Sequence, residues 1–458
     1  MIFVMCDVII LANTKEQHHF DLTKNCIESL RKSEDSVKFN IIVVESNKNS
    51  RYSYYEFANE TIVPPVDFNY NLFINIGLRN CKSDFVCISN NDVLYSPGWY
   101  TALQVEFNKD PELMSVSPID RSWHRHSEEI FSNAQLIHIG QRTSYEFTGW
   151  CFVFRREMLS KFGSFDERFA FYYQDNDICE LYERLNIKHG LVTTSHIKHL
   201  LSKSHDTVTN SQHTDMNSQH AIFNNKYNTH QLVYKRLSVL ILTMDGREQY
   251  LQRLLDRLKP QLTNEVEILM SKDNKEYTVG KKRNSLLHAA TGEYVCFIDD
   301  DDWVSSNYIS TILQATDYKP DVVGFNSLII FNGDLPRRVE ITSRHKTWNH
   351  QEGVIEGQVH PIVYHRCPNH LSPVKKSIAM KILFPEINDQ EDRYFSLSML
   401  GQITNEVYVD QYLYFYDCRP GKKDTIDQEA IDSRIKNEFG YVQLAESYIN
   451  ENKNHVRC

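Results

Sequence analysis

One stretch of this chain decides how the rest of its sequence is interpreted: Val295-Cys296-Phe297-Ile298-Asp299-Asp300-Asp301-Asp302. The short apolar run predicts a buried strand, and the strand ends in four adjacent carboxylates. Like charges crowded at one strand end repel one another, so a positive group is expected beside them. A divalent cation that carries a nucleotide diphosphate is one candidate, because Mg²⁺ and Mn²⁺ prefer hard oxygen ligands. The alternative is an acidic, solvated loop.

A weaker copy of this pattern occurs earlier in the chain, in Val86-Cys87-Ile88-Ser89-Asn90-Asn91-Asp92. The two halves of the chain share four landmarks in the same order and at similar separations: Asn13, Glu45, Asp92 and Asp175 in the first half, and Thr243, Asp273, Asp301 and Asp392 in the second. Four landmarks repeated in this way predict two copies of one domain type.

Each half begins with a pattern that predicts a strand–helix–strand unit. Residues 7–11 and 39–44 are apolar strand candidates that flank a helical pattern, and residues 237–243 and 266–270 flank another. Such units build a Rossmann-like α/β fold with a mixed, mostly parallel sheet. Ligands of these sheets bind at the carboxyl ends of the strands, where Asn13 and Thr243 are candidates for binding the ligand.

The boundary between the two copies is predicted from a change in composition. Residues 206–229 are polar, rich in Asn, Ser, Gln and His, and without hydrophobic periodicity. We therefore predict a first domain at 1–205, a linker at 206–235 and a second domain at 236–458.

Bulk composition is that of a soluble globular protein, with 41% hydrophobic and 24% charged residues among 458. The net charge of −10, without a long basic run, makes nucleic acid an improbable partner. Ten scattered cysteines without a C-x-x-C pair indicate a reducing compartment. Residues 1–11 contain Asp7 and lack a basic segment, so they predict a strand rather than a signal peptide. No apolar run approaches the ~20 residues of a transmembrane segment, and we expect a cytoplasmic protein.

Four segments resemble motifs of the family 2 glycosyltransferases, which have the GT-A fold. Residues 291–302 are similar to the family's segment ending in D-x-D-D, and Glu391-Asp392-Arg393 resembles its E-D motif. In the first half, Asn90-Asn91-Asp92 resembles the N-N-D variant of rhamnosyltransferase-like members. Residues 163–177 are similar to their G-x-F-D-E-x-F block and the acidic motif after it. The resemblance covers nearly the whole chain, once in each half, and implies two tandem GT-A domains.

The resemblance implies a role for each matching residue: Asp92 and Asp301 as ligands of Mn²⁺ or Mg²⁺, Asn90 and Asp299 as ribose contacts, Glu45 and Asp273 as nucleobase contacts, and Asp175 and Asp392 as catalytic bases. His199 resembles a late family histidine that can complete the metal shell, although a histidine of a surface tail would look similar. His196 and His205 are weaker candidates. Lys281, Lys282 and Arg283 could add positive charge near the nucleotide, although lysines at the start of a helix are more often solvated.

The expected chemistry suits these residue types. A bound metal neutralises the diphosphate as the glycosidic bond breaks, and a carboxylate activates the acceptor hydroxyl as general base. A single displacement then inverts the anomeric centre. The resemblance thus implies a metal-dependent inverting glycosyltransferase that uses nucleotide-sugar donors and an oligosaccharide or glycoconjugate acceptor.

The two halves differ from each other, which leaves alternatives. The first half has asparagine at two of three D-x-D positions and Gln174 in place of glutamate. The chain could be a bifunctional enzyme, or one active domain at 236–458 with a degenerate acceptor-binding first domain. A phage-type transferase acting on modified DNA bases is a third reading. Phe147, Trp150 and Tyr172 could form an aromatic acceptor shelf, or could pack in the core. No third metal ligand is evident in the second half.

Overall fold

The computed structural model describes residues 4–50, 52, 54, 56–124, 136–200, 215–229, 232–331, 335–418 and 437–451. The chain forms two compact units, Met1–Tyr234 (unit 1) and Lys235–Cys458 (unit 2). Each unit contains a mixed β-sheet with helices on its faces, which confirms the predicted tandem α/β fold.

Unit 1 is built from the following strands and helices: β1 (Val4–Ala12), α1 (Gln17–Lys32), β2 (Val37–Glu45), β3 (Glu60–Ile62), α2 (Tyr70–Leu78), β4 (Phe85–Asn90), β5 (Val93–Tyr95), α3 (Trp99–Lys109), β6 (Leu113–Ile119), β7 (Ile137–Ile139), β8 (Cys151–Arg155), α4 (Gln174–Arg184), β9 (Lys188–His199) and α5 (Met216–Asn228). The sheet order is β3-β2-β1-β4-β8-β6-β9-β5, with β7 on β9. The first four strands in this order are parallel, and β8 joins β4 antiparallel.

Both faces of the central strands β1, β4 and β8 are buried, which explains why these strands consist mostly of apolar residues. Successive side chains of β1 point to opposite faces. Val8 and Ile10 pack in one core with α1 and α3, whereas Ile9 and Leu11 pack in the other with α2 and α4. The carboxyl ends of β1 and β4 therefore emerge between two fixed helix layers.

Unit 2 is built from these elements: β10 (Leu237–Thr243), α6 (Glu248–Leu258), β11 (Val266–Lys272), α7 (Val279–Ala289), β12 (Tyr294–Asp299), β13 (Trp303–Val304), α8 (Tyr308–Thr316), β14 (Val322–Phe331), β15 (Leu335–Ile341), β16 (Asn349–Ile355), β17 (Gln358–Arg366), β18 (Val374–Lys375), α9 (Lys376–Ile382), α10 (Glu391–Leu400), β19 (Glu406–Cys418) and α11 (Glu438–Glu451). The sheet order is β11-β10-β12-β18-β14-β15-β17-β16, and β19 pairs with both β13 and β14.

The two units share their central strand order and differ in one insertion. Strands β11-β10-β12 of unit 2 are parallel, like β2-β1-β4 of unit 1, and β18 joins β12 antiparallel as β8 joins β4. Between β14 and β18, unit 2 adds the three strands β15, β16 and β17. In the described part of unit 1, the corresponding interval between β6 and β8 carries the single short strand β7.

The prediction of an irregular linker is wrong for residues 216–228, which form helix α5 and pack on unit 1. Gln219 and Lys226 are each 1% exposed in spite of their polarity. Gln219 accepts a hydrogen bond from the backbone N–H of Ala170, and Lys226 is ion-paired with Asp166 and Asp177. Hydrophobic periodicity could not reveal this helix because its buried face is held by polar contacts. The remaining predicted linker residues at 206–214 and 230–231 lie outside the described residues.

Among the described helices, none combines the length and apolar character that crossing a bilayer requires.

Candidate active sites

Unit 1 contains a cavity of about 640 Å³ at the carboxyl ends of β1 and β4. Five residues selected from the sequence line it together: Asn13, Asn90, Asp92, Asp175 and His199. They come from four separate parts of the chain, and the fold brings them to one place because parallel strands end at a common edge of the sheet.

Asp92 and His199 are brought together by strand pairing. Strand β5 runs antiparallel to β9, with Val93 opposite His199. Nε2 of His199 lies 3.2 Å from Oδ1 of Asp92, which is 3% exposed. The imidazole stacks on Trp150 at a centroid distance of 4.9 Å, and its backbone N–H donates to Oδ2 of Asp120. Nδ1 of His199 is buried without a hydrogen-bond partner among the described residues.

The histidine-rich segment is therefore not a surface tail where it contains His196 and His199, since both belong to β9. His205 lies outside the described residues. A carboxylate oxygen beside an imidazole nitrogen is a donor pair that suits a divalent transition metal such as Mn²⁺.

Asp175 lies in the first turn of α4. The helix begins directly after Tyr173, which has a positive φ of 63°. Such a conformation costs a residue with a side chain about 1–2 kcal/mol, and it turns the chain into the helix at the cavity. The carboxylate packs against Gly149, where any side chain would collide with it. Burial raises the pKa of Asp175 to about 6, although a hydrogen bond from the Gly149 backbone partly offsets the shift. A carboxylate with a pKa near neutrality suits general-base catalysis.

Glu45 is placed differently from the other predicted residues of unit 1. Its carboxylate is 1% exposed, and Oε1 accepts the backbone N–H groups of Thr14 and Asn47 at 3.0 Å and 2.7 Å. Glu45 thus fastens the loops that follow β1 and β2, and the cavity is lined by their neighbouring residues Asn13 and Ser46.

The three aromatic candidates separate into two groups. Phe147 is fully buried, which agrees with the alternative that it packs in the core. Trp150 stacks on His199, and Tyr172 lines the cavity. Of the three candidates, only Tyr172 lines the cavity directly, and Trp150 lies behind its lining residue His199.

In unit 2, the positive group expected beside the four aspartates is a side chain of the protein, Arg247. Its guanidinium binds both carboxylate oxygens of Asp300, and Nη2 lies 3.0 Å from Oδ2 of Asp301. Thr243 donates its hydroxyl to Oδ2 of Asp300 at 2.8 Å. Asp300, to which no chemistry could be assigned from the sequence, anchors this network while it is 4% exposed.

Asp302, the last acid of the run, also has a structural role. Its Oδ2 accepts the Tyr414 hydroxyl at 2.6 Å, and Tyr414 Oη in turn accepts the backbone N–H of Asp299. Burial raises the pKa of the Tyr414 hydroxyl, and the neighbouring acids add to the shift, so Tyr414 stays a donor. The strand end is thereby tied to β19.

Arg283 bridges two predicted site residues. Its guanidinium lies 3.4 Å from Oδ1 of Asp299 and 3.3 Å from Oε1 of Glu391. The side chain is 5% exposed, and it also packs over the ring of Phe297. The cation is thus held between two acids at the end of β12.

Asp273 binds Lys282, whose Nζ lies 2.7 Å from Oδ1. This hydrogen bond is the main reason that the pKa of Asp273 is lowered. Lys282 is thus paired within the unit rather than solvated, whereas Lys281 lies over the ring of Tyr277.

His370 is a site residue that sequence analysis missed. It is 8% exposed and lies between two predicted site acids, with Nε2 3.6 Å from Oδ2 of Asp299 and Nδ1 3.7 Å from Oδ2 of Asp392. Neither ring nitrogen has a hydrogen-bond partner among the described residues. His370 precedes the two-residue strand β18, a segment without a periodic signal, so only the folded sheet reveals its position.

The segments that precede the predicted bases adopt the same backbone in both units. Gln390 has a φ of 63°, as Tyr173 does, and the helices α10 and α4 begin at the next residue. The structural match supports the pairing of Asp175 with Asp392 across the two halves. Asp392 lies in the first turn of α10 and accepts the backbone N–H of Arg393.

A second contact recurs in both units: an asparagine of the helix before β4 or β12 binds the backbone of a phenylalanine that lies later in the chain. In unit 1, the Asn75 amide binds the backbone of Phe165 as donor and acceptor, and in unit 2 the Asn284 amide binds Phe384 in the same way. This match aligns Ile74 of unit 1 with Arg283 of unit 2. The buried cation of unit 2 is therefore replaced by an apolar side chain in unit 1.

The strand register also shows which residue of unit 2 corresponds to His199, the metal-ligand candidate of unit 1. Strand β13 pairs with β19 through Trp303 and Phe415, as β5 pairs with β9 through Leu94 and Lys198. Continuing this register by one residue puts Tyr416 at the position that His199 holds in unit 1. A tyrosine is thus the counterpart of the histidine.

Residues 8–163 and 240–383 each match the family model described as Glycosyl transferase family 2, and together they make up more than half of the chain. EpsH of Bacillus subtilis (strain 168), a provisionally named glycosyltransferase, is 24% identical over an alignment of 208 residues, and the match covers 39% of this chain and 59% of EpsH.

Solved structures of S. aureus TarS are also similar. TarS 1–349 in complex with UDP-GlcNAc is 17% identical with a TM-score of 0.31, covering 47% of this chain and 72% of that one. A longer TarS structure is 18% identical with the same TM-score, covering 47% of this chain and 43% of that one.

Proposed function

Because this chain belongs to glycosyl transferase family 2, we propose that it is a bifunctional, metal-dependent inverting glycosyltransferase with one catalytic site in each unit. Its donors are nucleotide-sugars, and its acceptor is an oligosaccharide or glycoconjugate. The observation that carries the proposal is the unit 1 cavity, where the Asp92–His199 pair and the carboxylate of Asp175 line one space.

The divalent metal of the proposal would be held in unit 1 by Asp92 and His199. A carboxylate oxygen and a buried imidazole nitrogen 3.2 Å apart suit Mn²⁺ as ligands. In unit 2 the metal would be held by Asp301, through the oxygen that Arg247 does not contact. When bound, the metal neutralises the diphosphate as it leaves the sugar.

The remaining steps are assigned to side chains of the protein. Asp175 in unit 1 and Asp392 in unit 2 accept the proton of an acceptor hydroxyl. The hydroxyl oxygen then bonds to the anomeric carbon while the bond from that carbon to the diphosphate breaks, so the configuration inverts. In unit 2, Arg283 binds the leaving diphosphate, and His370 lies between Asp392 and Asp299, 3.7 Å and 3.6 Å from their carboxylates.

The charges of the two sites differ, which favours two different donors. Asp299, Arg283 and Glu391 form a charged bridge in unit 2. The aligned positions of unit 1 hold Asn90, Ile74 and Gln174, all of them neutral. The same difference favours one alternative, in which unit 1 is a degenerate module that binds the acceptor.

A donor screen on the full-length protein tests the proposed function. We expect release of nucleoside diphosphate from at least one member of a panel of UDP-, GDP- and dTDP-sugars in the presence of Mn²⁺, and loss of that activity after treatment with EDTA. Re-addition of Mn²⁺ should restore it, and NMR of the product should show an inverted anomeric centre. If no donor on the panel is consumed with or without metal, the proposal is wrong.

The transfer activity of unit 1 is expected to fall as the pH drops below about 6. The raised pKa of Asp175, to about 6, means that the general base becomes protonated there and can no longer accept a proton. Activity should be measured as a function of pH in an Asp392→Asn variant, in which only unit 1 is active. Circular dichroism at each pH provides the control for unfolding, and a rate that is unchanged down to about pH 5 would contradict this assignment.

A further inference from the structure

Unit 2 contains a second cluster of metal-ligand side chains, formed by Glu340, His345 and His365. Oε2 of Glu340 lies 3.1 Å from Nε2 of His345 and 3.9 Å from Nε2 of His365. The ligand atoms of the three residues all lie within 4.8 Å of one another. Two imidazole nitrogens and one carboxylate oxygen form a donor set that zinc sites in proteins commonly use.

The insertion that distinguishes unit 2 from unit 1 builds this cluster. Strands β15 and β17 are parallel, and Glu340 and His365 are direct partners in their register, so both side chains lie on one face of the sheet. After β15 the chain turns, with the backbone N–H of His345 donating to the carbonyl of Thr342. The turn brings the His345 imidazole onto that of His365, with ring centroids 4.4 Å apart and an interplanar angle of 18°.

Neighbouring side chains orient the ligands in the manner typical of metal sites. Nδ1 of His365 lies 3.0 Å from the side-chain oxygen of Asn349, an acceptor that takes its N–H and leaves the lone pair on Nε2. Arg338 binds the other oxygen of the carboxylate, with Nη2 2.9 Å from Oε1 of Glu340. Both contacts direct the remaining donor atom of each residue toward the centre of the cluster.

We propose that Glu340, His345 and His365 bind one Zn²⁺ ion. In a tetrahedral zinc site with bonds of about 2.0–2.2 Å, neighbouring ligand atoms lie roughly 3–3.5 Å apart. The spacing of 3.1 Å between Glu340 and His345 lies in this range, and the spacing of 3.9 Å between Glu340 and His365 lies slightly above it. An ordinary ion pair explains the arrangement less well, because two protonated imidazoles stacked at 4.4 Å would repel each other. The three side chains are 21–25% exposed, which leaves the fourth position to water.

The site has a structural consequence. The metal would join β15, β17 and the turn between β15 and β16 through bonds that the unfolded chain cannot form. Its imidazole-rich donor set favours Zn²⁺ over Mg²⁺ or Mn²⁺, in contrast to the carboxylate-rich site proposed at Asp301. The site does not depend on the proposed sugar transfer.

The test uses full-length protein freed of metal with a chelator and then titrated with Co²⁺, whose visible absorption reports on its coordination. We expect a tetrahedral Co²⁺ spectrum, displaced by one equivalent of Zn²⁺, that disappears in the double variant His345→Ala/His365→Ala. Removing the orienting acceptor by Asn349→Ala should weaken binding about tenfold. His350→Ala is the matched control, since His350 lies on the adjacent strand β16, is 45% exposed and should leave binding unchanged.

Two outcomes would overturn the proposal: a tetrahedral spectrum that persists in the double variant, or wild-type protein that binds no more Zn²⁺ than the variant. Circular dichroism in the presence of chelator checks that the variants fold. If the double variant does not fold, Glu340→Gln decides, because it keeps an acceptor for Arg338 but removes the charged ligand. Zn²⁺ should raise the unfolding temperature of the wild type and not that of Glu340→Gln.

Discussion

Replacing Asp175 with asparagine is expected to slow the sugar transfer of unit 1 by about 10²- to 10⁴-fold, the contribution typical of a general base. The substitution keeps the shape of the side chain against Gly149 and removes only its ability to accept a proton. Asp392→Asn should have an effect of the same size on the transfer carried out by unit 2. Initial rates of product formation with each identified donor measure both effects separately.

The controls for these variants are acids of the same regions that lie outside the proposed machinery. Glu180→Gln changes a residue of α4 that pairs with Arg184, and Asp389→Asn changes an exposed residue shortly before α10. Both should retain wild-type rates. If Asp175→Asn leaves every transfer activity intact while Asp392→Asn abolishes all of them, unit 1 is a binding module and the bifunctional proposal is wrong.

Replacing Lys226 with methionine is expected to destabilise unit 1 by about 3–5 kcal/mol, because it removes a cation shared by two buried acids and leaves Asp177 without one. Asp166 keeps its pair with Arg168. The Lys226 side chain is fully buried, with Nζ 2.6 Å from Oδ1 of Asp177 and 3.1 Å from Oδ2 of Asp166. The hydroxyl of Tyr227 also donates to Asp177. The midpoint of urea denaturation of the variant should fall accordingly.

A surface lysine provides the comparison. Lys109 pairs with Glu106 at 2.7 Å but is 54% exposed, so Lys109→Met should cost less than about 1 kcal/mol. Adding Asp177→Asn to Lys226→Met should restore part of the lost stability, because it removes the uncompensated charge. Equal denaturation midpoints for Lys226→Met and Lys109→Met would show that the buried ion cluster does not hold α5 on unit 1.

The two sites differ at three positions that contact one another in unit 2. Unit 2 places the cation Arg283 between the acids Asp299 and Glu391. In unit 1, Asn90 and Gln174 stand in place of the two acids. Ile74, which packs in the core, stands in place of the cation. A buried guanidinium without acidic partners would be costly, so replacement of all three keeps the site stable.

Much of the architecture could be predicted from local patterns. The apolar runs ending in Asp92 and Asp301 and the repeated landmarks predicted two α/β units, because strands buried on both faces require continuous apolar segments. Five predicted residues of unit 1 line one cavity, since strand ends of a parallel sheet meet at one edge. The spacing of the landmarks and the resemblance to the E-D motif together pair the acids at 391–392 with residues 174–175.

Tertiary structure decided the contacts between residues that are distant in sequence and polar. Gln219 and Lys226 read as linker residues, yet they are buried because Ala170, Asp166 and Asp177 satisfy them.

His370 and the cluster of Glu340, His345 and His365 carry no local signal, since only strand register brings these side chains together. Local sequence predicts the central strands and the acids at their ends, because strands buried on both faces need continuous apolar segments. Which polar groups face one another depends on the folded sheet, because a hydrogen bond or ion pair requires a geometry that no local pattern records.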